Sequence, residues 1–317
     1  MNNDSESTRG GTRAGPAAVR SGSVGDWAEN FGKRLLVKAT SPLPMNVRGA
    51  FAGRLMQLIV PLSPNLRRRI DNNLDLVFPD LGPAERQALR RRILLNLGRS
   101  LMEMQCGAEI VAQKSDFHVS GPGFEALRRA RAEGRGAIIM AAHFGHWEAG
   151  RITLMDAGME CGALYRPSNN PLFDSDYFDA IRQRGEPVFP RGAQGMRAMI
   201  RHLRKGGFVG VMHDQSIKRA PLFRFMGHPA HTATTIAELA LKFDLLVVPN
   251  FNIRRENSPE VDVVFESPAA HTTPAEMTQE LNDRLEARVR ANPEQFYWLH
   301  QRWKLHKDLV DEGASPI

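Results

Sequence analysis

The sequence predicts an α/β fold, with a largely parallel central sheet flanked by helices behind a helical N-terminal extension. Short apolar runs bounded by glycine or proline recur from residue 136 onward, and amphipathic helical patterns fall between them. That alternation is the pattern of strands covered by crossover helices. Upstream, residues 30 to 70 have helical spacing, eight Lys or Arg residues and not one Asp or Glu.

The 317 residues, 42% of them hydrophobic, suffice for one large domain or two modest ones. We read a tail at 1–25, a helical basic region at 26–110, one α/β domain at 111–306 and a flexible C-terminal tail at 307–317. The first 25 residues are polar and small, so they are expected to be disordered and to carry no signal peptide. In the next segment, Lys33, Arg34, Lys38, Arg48, Arg54, Arg67, Arg68 and Arg69 interleave with Phe31, Leu35, Leu36, Val37, Phe51, Leu55, Met56, Leu58 and Ile59. Such a segment either lies on an anionic membrane surface or forms a helix pair with a solvated basic face, and the lack of acids favours the membrane. Its longest uncharged run, Leu55 to Leu66, falls short of the roughly 20 residues a spanning helix needs. Attachment is therefore expected to be peripheral or monotopic.

From Pro83, the residues Leu89, Ile93, Leu97, Leu101 and Met104 recur at three- and four-residue steps, predicting a helix with one buried face. A helix at Phe124 to Glu133 stops at Gly134, and "GAIIMAA" after it reads as a buried strand that ends at His143. Further strands are predicted at Gly162–Tyr165, Pro187–Phe189, Phe208–Met212, Leu245–Phe251 and Val261–Phe265. Helices are predicted at Gln194–Lys205, Thr234–Phe243 and Pro274–Ala291. In such a sheet, functional residues gather at the carboxyl ends of strands, where His143 and the pair His213-Asp214 both fall.

The formal charge of +7 favours anionic partners. Nucleic acid is set aside, because only 7% of the residues are aromatic and no reading module is present. Cys106 and Cys161 are too few for a disulfide framework, which suits a reducing compartment. No G-x-S-x-G elbow and no phosphate-binding P-loop occur, and "GPGFEA" at Gly121 to Ala126 reads as a plain turn into a helix. The order H-x-x-H-x-E in "HFGHWE" is not the helical H-E-x-x-H of a zinc site, so no metal and no cofactor are expected.

What remains is acid/base chemistry. On a continuous helix, His143 and Glu148 would point about 140° apart at roughly 100° per residue. With His143 in the turn before the helix, Glu148 can instead fold back, hold one ring nitrogen and leave the other free to take a proton from a hydroxyl. A strand-end histidine that merely satisfies backbone groups is the plainer reading of the pair taken alone.

H-x-x-x-x-E with "HFGHWE" resembles the bacterial lipid A biosynthesis acyltransferases, the lauroyl and myristoyl transferases. Further blocks follow in the family's order: "YRPSNNP" (Tyr165 to Pro171), "HDQ" (His213 to Gln215), the stretch from Phe225 to Pro249, and "NPEQFYWLHQRWK" (Asn292 to Lys304). The segment Asn72 to Ile93 is similar too, so the resemblance covers about residues 26 to 305. It implies transfer of an acyl chain from acyl carrier protein, or coenzyme A, to a hydroxyl of a Kdo-bearing lipid A precursor at the cytoplasmic face of the inner membrane. A lysophospholipid or an ornithine-type lipid is the alternative acceptor.

On this resemblance His143 is the general base and Glu148 orients and charges its imidazole. Arg166 binds an acceptor phosphate or a developing oxyanion, or else makes a surface ion pair. Asp214 orients Arg166 or the acceptor, or caps a helix. Lys218, Arg219 and Arg224 suit the phosphates of the acceptor, or form a solvated loop. His300 and Arg302 are candidate binding residues, while Tyr297, Trp298 and Trp303 sit either at the lipid interface or against the sheet. Two departures stand out: the family's N-terminal membrane helix is not evident here, and the position of His146 is commonly asparagine.

Overall fold

The computed structural model describes residues 23–304 except 169 and 257, so the two expected tails lie outside the described residues apart from 23–25. Five helices come first: α1 (Val24–Thr40), α2 (Met45–Ile59), α3 (Pro64–Val77), α4 (Pro83–Gln105) and the short α5 (Gly107–Val111). Their starts are encoded locally. Ser23 and Asp26 form a capping box on α1, and Pro64 and Pro83 occupy the first turns of α3 and α4. α2 and α4 pack backbone to backbone because glycine stands at the crossing. A Cβ on Gly98 would come within 2.5 Å of the Ala52 carbonyl oxygen, and one on Gly53 within 2.6 Å of the Leu95 oxygen.

The α/β part runs β1 (Phe117–Ser120), α6 (Pro122–Ala132), β2 (Ala137–Ala141), α7 (Ala149–Asp156), β3 (Cys161–Tyr165), α8 (Pro171–Gln183), β4 (Val188–Pro190), α9 (Ala193–Arg204), β5 (Phe208–Met212), β6 (Leu222–Phe225), β7 (His228–His231), α10 (Thr235–Phe243), β8 (Leu246–Arg254), β9 (Val261–Phe265) and α11 (Pro274–Ala291). Seven strands form one sheet in the order β1-β9-β8-β2-β5-β3-β4, with β6 and β7 as a separate hairpin. The five strands from β8 to β4 are parallel, and the edge pair β1 and β9 runs against them. The expected largely parallel sheet is thus present, with a reversed edge that periodicity could not announce.

Central strand β2 alternates between two cores. Ile138 and Met140 pack with Ile236 of α10 and Leu281 of α11, while Ala137 and Ile139 pack with Leu127 of α6 and Leu154 of α7. A strand covered on both faces needs a continuous apolar sequence, which is what AIIMA supplies. On α11, Met277, Leu281, Leu285 and Val289 are all fully buried, each contributing about 1.5–3 kcal/mol relative to exposure.

One expectation about side chains needs correction, and one open alternative is decided. Arg48 does not belong to the basic outer face: it is buried, and its guanidinium donates to Cys106 Sγ at 3.0 Å and faces Glu109 at 3.3 Å. Trp298 is also a core residue, 1% exposed, with its indole N–H on the Pro293 carbonyl. Trp303 stacks beside it and on Phe225.

Candidate active site

Parallel pairing sets Ala141 at the end of β2 opposite Met212 at the end of β5. Counting two residues onward along each strand brings His143 opposite Asp214, on the carboxyl rim where ligands of parallel sheets bind. Their side chains meet there: His143 Nδ1 lies 2.9 and 3.1 Å from the two Asp214 oxygens.

The loop carrying His143 is held on all sides. Gly145 adopts φ 57°, and a Cβ there would sit 1.8 Å from the Asn252 carbonyl oxygen, so only glycine fits. The Gly145 N–H donates to the Gln295 carbonyl and the His146 N–H to the Asn252 carbonyl, each at 2.9 Å. Asn252 returns a bond to the His146 carbonyl at 2.8 Å, and the Tyr297 N–H donates to the His143 carbonyl at 3.0 Å. With its backbone groups paired, the loop presents the imidazole in one orientation.

Three rings surround that imidazole: Trp147 with centroids 4.7 Å apart, His300 at 4.8 Å and Tyr297 at 5.9 Å. His143 Nε2 makes no hydrogen bond among the described residues. Burial alone would raise the Asp214 carboxyl, but the adjoining His143 imidazole outweighs it and holds the group well below the usual range. An ionised carboxylate facing Nδ1 fixes the proton there and leaves the Nε2 lone pair facing outward. His300 Nε2 stands 3.3 Å from His143 Nδ1 and 3.7 Å from Asp214, and burial pushes its pKa down to about 4.

Glu148 is placed differently from the sequence expectation. Its carboxylate accepts from Arg151 Nε at 2.8 Å and lies 3.8 Å from Arg184 Nη1; no hydrogen bond joins it to His143. Trp147 takes the place against the imidazole, and two buried guanidinium groups draw Glu148 the other way. Burial pushes its carboxyl up, and the two arginines more than reverse this. Arg151 also donates to the Gly185 and Ile181 carbonyls, and Arg184 to those of Glu103 and Met104. Glu148 therefore ties α7 to α8 and α4 behind the loop.

Asp214, expected to orient Arg166 or the acceptor or to cap a helix, is the carboxylate on the imidazole. Arg166 follows the last residue of β3, on the same rim, and is exposed with no partner among the described residues. Lys218, Arg219 and Arg224 are exposed as well, the last on the outer face of β6 between buried Phe223 and Phe225. Arg302 is not available to a ligand: it is fully buried and donates to the His231 carbonyl and Thr232 Oγ1. Sequence reasoning missed Asn73 of α3, whose amide donates to the Trp298 and His300 carbonyls at 2.8 and 2.9 Å and fixes the His300 loop. Only its neighbourhood, the Asn72 to Ile93 block, gave any signal.

His146 is buried with neither ring nitrogen hydrogen-bonded, edge-on to Phe117 and 3.8 Å from Glu103. Burial pushes its pKa down to about 4. An ordinary histidine in the unfolded chain titrates near 6.5, so the unfolded state binds the extra proton first as pH falls. His146 thus imposes no acid penalty above about pH 6.5 and costs on the order of 3 kcal/mol of stability by about pH 4. His146→Asn should gain on the wild type progressively as pH drops from 7 to 4 in urea unfolding, whereas a pH-independent difference would contradict this.

Fold and site define a class, that of an α/β enzyme with a histidine–carboxylate pair at the strand ends, and among the described residues no Ser or Cys is hydrogen-bonded to the imidazole. The family follows from comparison. The model of the bacterial lipid A biosynthesis acyltransferases matches residues 21–305, and the chain belongs to that family. A lipid A biosynthesis acyltransferase of Haemophilus influenzae is 24% identical over 277 residues, covering 85% of each chain. The lipid A biosynthesis lauroyltransferase of Escherichia coli is 26% identical over 253 residues, 76% of this chain and 80% of its own. The myristoyltransferase of the same organism is 24% identical over 264 residues, 82% and 79% of the two chains. The protein is thus an acyltransferase of lipid A synthesis.

Proposed function

We propose that this chain moves a fatty acyl group from the thioester of acyl carrier protein to a hydroxyl of a Kdo-bearing lipid A precursor, with His143 as general base. The observation that carries this reading is a His143 Nε2 with no partner among the described residues, on an imidazole whose Nδ1 is held by buried Asp214. Nε2 takes the hydroxyl proton as the oxygen attacks the thioester carbonyl. The tetrahedral intermediate collapses, the C–S bond breaks, and the imidazolium returns its proton to the leaving thiolate. Asp214 stabilises the imidazolium in between, so no acyl-enzyme is required. Arg166, a cation on the same rim with no partner among the described residues, binds an acceptor phosphate.

The test is transfer from labelled acyl-carrier protein to the Kdo-bearing precursor, with His143→Ala alongside. Transfer by wild type alone supports the reading. Activity only on a lysophospholipid or an ornithine lipid moves the acceptor, and an acylated enzyme trapped with donor alone refutes the mechanism.

We further propose that the enzyme works on the cytoplasmic face of the inner membrane, held by α1 and α2. Among the described residues no helix is long and apolar enough to cross a bilayer. Yet α1 leaves Trp27, Phe31 and Leu35 exposed at four-residue spacing, and α2 with the turn after it leaves Val47, Phe51, Leu58, Ile59 and Leu62 exposed, the last 82% so. Exposed apolar stripes accompanied by Lys38 and Arg54 suit anionic headgroups over an acyl layer. Replacing Phe31, Phe51 and Leu58 together by Glu should cut binding to phosphatidylglycerol vesicles by more than about tenfold, since each buried side chain contributes about 1.5–3 kcal/mol. Unchanged flotation with vesicles would remove these helices from the interface.

A further inference from the structure

We propose that His143, Asp214 and His300 form a binding site for a divalent transition-metal ion, zinc first, and that the bound ion reversibly switches the catalytic base off. The switching half rests on His143 being the base; the binding half rests on geometry alone.

His143 Nδ1, Asp214 Oδ2 and His300 Nε2 form a triangle with sides of 3.1, 3.3 and 3.7 Å. A point about 2.0–2.1 Å from all three atoms exists beside that triangle, which is the length of Zn–N and Zn–O bonds, and the angles it subtends run from roughly 100° to 130° around the tetrahedral value. Two imidazoles and a carboxylate suit zinc and its neighbours, while magnesium and calcium prefer an all-oxygen shell. The His143 and His300 side chains are 15% and 22% exposed, so an ion can reach them from solvent, while Asp214 is wholly buried behind them.

Proton accounting points the same way. His143 Nδ1 has one proton to share between the carboxylate at 2.9 Å and His300 Nε2 at a longer 3.3 Å. The His143 N–H is committed to Asp214, and His300 Nε2 lies beyond hydrogen-bond distance of that carboxylate at 3.7 Å. A cation at the centre would satisfy all three groups at once. The donors are also fixed in advance, because Asn73 anchors the His300 loop and the Tyr297 N–H anchors the His143 carbonyl.

Binding changes the tautomer of His143. A neutral imidazole that ligates zinc through Nδ1 carries its one proton on Nε2, so the proton leaves Nδ1 and Nε2 gains one, with no net change on the ring. Nε2 then has no lone pair for the acceptor hydroxyl, and removal of the ion restores it.

The test adds cobalt or zinc to purified full-length protein. One equivalent of cobalt should give the visible absorption of a tetrahedral site, and zinc should raise the melting temperature. Zinc should stop acyl transfer, with recovery on adding EDTA. His300→Ala, checked for folding by circular dichroism, should lose the cobalt spectrum and bind zinc more than tenfold more weakly; Asp214→Asn serves as a second variant should the first not fold. No cobalt spectrum, or equal zinc affinity in a folded variant, overturns the site. Zinc bound at this site with transfer undiminished overturns the switch and the base role of His143 instead, while leaving the site standing.

Discussion

Asp214→Asn is expected to lower acyl transfer by about 10²–10⁴-fold while leaving the fold in place, the range spanned by loss of general acid–base catalysis. The substitution is isosteric, and Asp214 is wholly buried, so little repacking is needed. The chemistry changes in two ways. An asparagine amide facing Nδ1 can donate to it, which moves the ring proton to Nε2 and removes the lone pair the reaction requires. An imidazolium formed during transfer would also lose the carboxylate that adjoins it, since Glu148 is engaged by Arg151 and Arg184. Turnover of the purified variant, with its melting temperature beside that of the wild type, decides the matter. Activity within a few-fold of wild type would make Asp214 a packing residue and would return the orienting role to a group not yet in contact with the ring.

The place of Asp214 illustrates what one sequence could and could not disclose. Strands β2, β5 and β9 were legible within a residue or so because their apolar runs are bounded by glycine or polar residues. The helices α9, α10 and α11 were legible because their periodic faces are long. His143 was found from its strand-end position and its motif. Its partner was not, because the contact depends on β2 and β5 being neighbours in register across 71 residues, and no local pattern encodes strand order. Glu148 drew attention through proximity in sequence, yet the partners that hold it include Arg184, 36 positions on and brought there by the turn after α8. Short strands β1, β6 and β7 escaped for a simpler reason: four residues with mixed burial leave no period to detect. Arg302 and Arg48 misled in the opposite direction, since a charged residue reads as surface until the structure supplies enough carbonyl and hydroxyl acceptors to bury it.

Glu148→Ala is expected to cost about 3–5 kcal/mol of stability, because removing one partner of a buried ion pair leaves the other charge without compensation. Here two guanidinium groups would be left, Arg151 and Arg184, with side chains 6% and 1% exposed. Their remaining carbonyl contacts join α8 to the end of α4, so strain there reaches the His143 loop through α7, and transfer falls along with stability. The expected drop in melting temperature is roughly 10 °C. Glu148→Gln, which keeps the shape and one acceptor oxygen, should lose less of both. A carboxylate that acted on the imidazole itself would behave differently: Glu148→Ala would then melt like the wild type and be as inactive as Asp214→Asn. Coupling to Arg184 gives a second discriminant. In a double-mutant cycle, Glu148→Ala with Arg184→Ala should cost less than the sum of the single changes, since the second removes a charge that the first had stranded. Additive losses would mean that the 3.8 Å approach between the two side chains carries little energy, and that Arg151 alone holds the carboxylate in place.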